Sequence, residues 1–107
     1  MTDTLKVLGQ NTPSANTATS LYTVPSATSA VARCIVCNTN SADVKIRLWV
    51  QIAGASDTTK QYFFYDITLQ GNQTLETMPI ALAATDVIRV QADTTNVAFS
   101  AYGIEVT

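Results

Sequence analysis

The sequence predicts an all-β protein: one antiparallel β-sandwich, jelly-roll-like, of about eight strands. Three observations predict it. Apolar residues recur with period two, and no i, i+3, i+4 stripe develops. The apolar runs are separated by short polar clusters, "NTNSA", "GASDTT", "QGN" and "DTTN", rich in residues that accept tight turns. The chain has 107 residues, of which 47% are hydrophobic and 13% charged. That is enough apolar material for a core in a single domain spanning residues 1–107, with a charged share about half the usual one.

Taken in order, "LKVLG" (5–9) reads as a short strand. Segment 10–18, "QNTPSANTA", is polar and reads as a loop or an extended N-terminal arm. "TSLYTV" (19–24) stops at Pro25, which cannot donate to a ladder. "SAVARCIVCN" (29–38) is long and mostly apolar, as in a central strand. The clearest alternation is "ADVKIRLWVQIAG". It places Val44, Ile46, Leu48, Val50 and Ile52 on one face and Asp43, Lys45, Arg47, Trp49 and Gln51 on the other. "KQYFFYDITL" (60–69) is rich in aromatics; strict alternation sets Tyr62 and Phe64 against Phe63 and Tyr65. "QTLETM" (73–78), "DVIRVQA" (86–92) and "NVAFSAYGIEV" (96–106) complete the set. "PIALAATDVI" has helix-friendly residues, but Pro79, Thr85 and Asp86 interrupt it.

Candidate chemistry is sparse. Cys34 and Cys37 have C-x-x-C spacing, but on a strand they point to opposite faces, with Cα atoms about 10 Å apart. A disulfide needs them within about 7 Å. A structural zinc site wants four ligands, and the sequence has no histidine and no third cysteine. The two thiols are expected to be unreactive, with no metal and no cofactor. The missing histidine removes the usual general base, and the eight carboxylates are scattered, so no enzyme activity is expected. The six basic residues form no run, which excludes the concentrated footprint of a nucleic-acid binder. No stretch approaches the roughly 20 apolar residues of a membrane span. "MTDTLKVLGQ" lacks the form of a secretory signal, so no export by that route is expected.

The candidate site is therefore a surface. Trp49 lies on the polar face beside Lys45 and Arg47, either covered by the N-terminal arm or anchoring a partner. Tyr62 and Phe64 raise the same question, since aromatics at a surface mark interfaces. A stacking platform for sugars is a third use for these rings.

"LYTVPSATSAVARCIVCNTN" (21–40), "YFFYDITLQGNQTL" (62–75) and "IALAATDVIRVQAD" (80–93) resemble a small β-sandwich family of tailed bacteriophages. Its members show a Leu-Tyr-x-Val-Pro segment, an apolar strand ending in Cys-Asn, and a later Leu-x-x-x-Asp-x-Ile-x-Val segment. The resemblance runs from about residue 5 to the C-terminus and rests on strand and turn residues. It implies a virion structural protein at the capsid surface, a cement or decoration protein bridging capsomers. The implied partner is the major capsid protein, and the expected assembly is a homotrimer. Tail, baseplate or fibre modules and carbohydrate-binding β-sandwiches are the alternatives.

Overall fold

Alternating apolar residues leave each strand with one face to bury, and two such sheets bury their faces against each other. The computed structural model describes residues 2–107. Its strands are β1 (Asp3–Asn11), β2 (Thr19–Thr23), β3 (Ser29–Asn38), β4 (Val44–Gln51), β5 (Tyr62–Leu69), β6 (Thr74–Glu76), β7 (Ile80–Leu82), β8 (Val87–Ala92) and β9 (Val97–Val106). One sheet has the order β1-β9-β3-β6, with β7 also paired to β3; the other has the order β2-β8-β4-β5. Every pairing is antiparallel.

The topology is a folded ribbon. β1 pairs with β9, β2 with β8, β3 with β6 and β7, and β4 with β5. Rolling that ribbon up adds the pairs β3–β9 and β4–β8. This winding is the jelly roll that the sequence predicts. Inward residues of both sheets make one core, including Ala32, Cys34, Val36, Ile46, Leu48, Ile88, Val90, Val97, Phe99 and Ala101.

Strand β3 coincides with its predicted range, and β4 keeps its alternation through Leu48. One expectation is corrected and two are sharpened. Of residues 10–18, read as a loop or an extended arm, 12–18 form the loop, while β1 runs on to Asn11, paired to β9. Ile52 does not continue the buried face of β4. It begins a 3₁₀ turn, Ile52–Gly54, in which Ala53 has φ of 53°, and its side chain is 72% exposed. The expected eight or so strands number nine, because residues 73–82 hold two short strands. Pro79 cannot donate to the ladder along β3, so the edge breaks there. Thr77 fills the gap: its N–H donates to the Cys34 carbonyl at 2.8 Å, and its hydroxyl accepts from the Cys34 N–H at 2.9 Å.

Two further features fix the frame. Asn38 is fully buried, and its Nδ2 donates to the carbonyls of Ala42, Leu69 and Gln70 at 2.9, 3.2 and 3.1 Å, while its Oδ1 accepts from the Asn40 N–H at 3.0 Å. One amide thus ties the end of β3 to the end of β5 across both sheets. Gly103 sits where β9 presses on β3: a Cβ there would lie 1.9 Å from the Val31 carbonyl oxygen. At the chain ends, Thr2 and Thr107 exchange two backbone hydrogen bonds of 2.9 Å.

Candidate interaction surface

The predicted surface residues lie on the second sheet, and two irregularities in β5 rearrange them. The β4–β5 register runs Ile46↔Ile67, Leu48↔Phe64 and Trp49↔Tyr62. Tyr65 and Asp66 together oppose Arg47, with Asp66 at φ of 52°, and Phe63 is an extra residue between Phe64 and Tyr62. These are β-bulges, each inserting a residue and shifting the faces that follow. Tyr62 and Tyr65 therefore share the outer face, their rings edge-to-face at 4.7 Å, while Phe64 packs on the core. Strict alternation paired Tyr62 with Phe64; the bulges separate them.

Trp49 is not a surface anchor. Its side chain is 1% exposed, because the 55–61 loop and Tyr62 close over it. The indole N–H donates to Asp57 Oδ1 at 2.8 Å, and the ring lies 5.2 Å from that of Tyr62. Arg47 grips Asp66 through Nε at 2.6 Å and a second nitrogen at 3.0 Å, with its guanidinium carbon 4.4 Å from the centre of the Tyr65 ring. The Arg47 hydrogen bonds hold the Asp66 carboxyl below its usual range, and the Asp66 hydrogen bonds hold the guanidinium more firmly protonated. Lys45 stands exposed beside them. The arrangement is self-satisfied, and Tyr65 is its only large apolar group with an exposed side chain.

The exposed apolar surface lies elsewhere. On the first sheet, outward residues of β1, β9 and β3 fall in register: Leu5 beside Ile104 beside Val31, and Val7 beside Tyr102 beside Arg33. Leu5 is 78% exposed, Val7 59% and Val31 46%, and Met78 beside this face is 82% exposed. A sandwich sheet ordinarily turns polar residues outward. Here the charged pair Arg33–Glu76, at 3.1 Å, is closed within the molecule, and Tyr102 also donates toward Glu76. Leu5, Val31, Pro79, Tyr102 and Ile104 line a shallow depression on this face.

The apolar band continues around the open side of the sandwich. Val31 pairs with Ala81 of β7, and Ala81 lines a groove of about 680 Å³ between β7 and β5. Its walls are Val50, Ile52, Phe63 and Ile80, with Lys60 and Asp86 at the sides. The bulge at Phe63 and the turn at Ala53 put these side chains here; Phe63 is 51% exposed. Both Asp86 oxygens are occupied, accepting from the Ala53 N–H at 3.0 Å and the Ala83 N–H at 2.9 Å. Six of the seven large apolar residues that are exposed among the described residues lie on this band, all but Tyr65. Contiguous patches of this kind mark contact sites. Covering Leu5, Val7, Val31 and Met78 would return roughly 4–8 kcal/mol, at about 1.5–3 kcal/mol per fully buried side chain scaled by the exposed fraction of each. Sequence reading missed the band, although Val31, Ile35 and Cys37 on the second face of 29–38 were its signal.

The remaining titratable features are structural. Cys34 is buried, which pushes its thiol up to about 11, and Cys37 is half-buried on the other side of β3. The sequence expects this separation. Among the described residues no group of three or more His, Cys, Asp or Glu side chains is placed to hold a metal ion. Glu105 is buried at one end of the core, 2.8 Å from Lys6 Nζ, and accepts from the Tyr22 hydroxyl at 2.5 Å. Comparison with family models, with curated proteins and with solved structures finds no match for this chain.

Proposed function

We propose that the protein is a non-enzymatic structural component of a bacteriophage virion, a capsid decoration protein that acts by burying surface. The observation that carries this reading is the apolar band running from Leu5 to Phe63. A domain whose rows Leu5–Ile104–Val31 face outward is built to have that face covered. The resemblance of segments 21–40, 62–75 and 80–93 to phage β-sandwich proteins supplies the setting, the major capsid protein as partner and a homo-oligomer, most simply a trimer. The jelly roll is compatible with it and with many other roles.

The glycan-binding reading is weaker, because Trp49 is covered and the Tyr65 ring is occupied by Arg47. A tail or fibre position shares the same surface argument and differs in copy number. The test is binding of purified protein to assembled shells lacking it, followed by electron microscopy and a stained gel. Decoration predicts regular density across the shell and a band comparable in intensity to that of the capsid protein. Failure to bind shells, or a handful of copies confined to the tail, overturns it.

A further inference from the structure

We propose that Leu5 and Val7 of one copy seat in the Ile52–Phe63 groove of the next, so that the chain assembles head-to-tail into a closed ring. This deepens the reading above of a protein that works by covering surface, and names the surface and its occupant.

The two patches lie at opposite edges of the first sheet. β1 is one edge, and β7 with β6 forms the other. Leu5 and Val7 project from the outer face of β1, at the head of the rows through Ile104 and Tyr102, while the groove at the far edge is a concavity of about 680 Å³ with apolar walls. A knob and a hole on different sides of one molecule make a heterologous contact, which generates rings or filaments rather than a face-to-face pair. A closed ring of three or more copies satisfies both patches of every copy.

Charge agrees with the same docking. Asp3 is exposed two residues before Leu5, on the same side of β1. Lys60 is exposed at the side of the groove. Neither forms an ion pair among the described residues, whose three ion pairs are Lys6–Glu105, Arg33–Glu76 and Arg47–Asp66. The other charge at the groove, Asp86, has both oxygens tied to backbone amides. Seating Leu5 in the groove brings Asp3 toward Lys60, and opposite charges across an interface fix its register.

The test uses the whole chain and sedimentation velocity. Wild type is expected as a ring of three or more copies. Leu5→Asp and Phe63→Asp alter exposed side chains, so each should keep the wild-type circular dichroism spectrum and run as a monomer. Mixed one to one, they should form a dimer, because Leu5→Asp retains the groove and Phe63→Asp retains the knob. Asp3→Lys and Lys60→Asp should each weaken association by roughly tenfold or more, and the double swap should restore it. If either single Asp variant is misfolded by circular dichroism, Val7→Asp or Ile52→Asp takes its place in the mixture. A monomeric or dimeric wild type overturns the proposal. So does an oligomer that either apolar variant leaves intact, or two monomeric variants that do not combine. Shell binding is read separately, so a ring that fails to bind shells refutes the decoration role alone, and a shell-binding monomer refutes the ring alone.

Discussion

Replacing Trp49 with Ala separates a buried indole from a surface anchor. The ring is 1% exposed, lies 5.2 Å from the Tyr62 ring at a tilt of 46°, and its N–H donates to Asp57. Removing a buried Trp side chain costs about 3–5 kcal/mol, of which the ring pair accounts for about 0.5–1.5. Asp57 is exposed and rehydrates once the indole is gone, so its lost hydrogen bond adds little. A chain of this length has about 5–15 kcal/mol of total stability. The variant should therefore lose at least about a fifth of it, and melt roughly 12–40 °C lower at about 4–8 °C per kcal/mol. The assay is urea and thermal unfolding followed by far-ultraviolet circular dichroism, since the variant has no tryptophan to report. Trp49→Phe keeps the ring contact and should lose only about 1–2 kcal/mol. A Trp49→Ala change within about 0.5 kcal/mol of wild type, the range of ordinary surface substitutions, would show that the loop and Tyr62 do not cover the ring.

Other outcomes follow from the same geometry. Asn38→Ala should cost about 2–4 kcal/mol in urea unfolding, because it strips partners from three carbonyls at the end of the core; a loss under about 0.5 kcal/mol would contradict that role. Gly103→Ala should destabilise by at least about 1–3 kcal/mol, since its Cβ would collide with the Val31 carbonyl and two central strands must part; an unchanged melting temperature would refute the close approach. Lys6 first, and then the Tyr22 hydroxyl, hold the Glu105 carboxyl below its ordinary value of 4.5. Below that value the unfolded chain takes up a proton before the folded one, so the contribution of Glu105 is complete above about 4.5 and lost as pH falls through the folded value. Glu105→Gln should flatten the acid limb of the stability curve; an unchanged limb refutes the assignment. With a thiol reagent, Cys37 should label in the folded protein and Cys34 only on unfolding, and equal rates would show that Cys34 is not buried.

How far the sequence could be read depended on whether a residue's place was set by its own strand or by its neighbours. Segment 29–38 and the first half of 44–51 were legible because their alternation is unbroken and fixes their inward faces. The paired faces of 62–65 were not, because a bulge is a property of two strands: only the register against β4 reveals the extra residues. Strand β7 is three residues after a proline, too short for periodicity, and exists by pairing with β3. The buried state of Trp49 was illegible for a related reason. Its cover is the 55–61 loop, distant in pattern and adjacent only once β5 folds back. The apolar band draws on β1, β3, β9, the residues around β7, and the turn after β4, with no single segment carrying enough of it to be noticed.

The clasp between Thr2 and Thr107 has a practical corollary. β1 and β9 are antiparallel neighbours and the first and last strands of the sandwich, so their pairing is the slowest kind to close, with the seven other strands inside its loop. Joining Thr107 to Thr2 by a tight turn, and opening the chain between the exposed residues Ser14 and Ala15, would make that pair a local hairpin while leaving every ladder in place. Such a permuted chain should refold faster than the parent and reach the same end state, and a stopped-flow comparison of the two would show it.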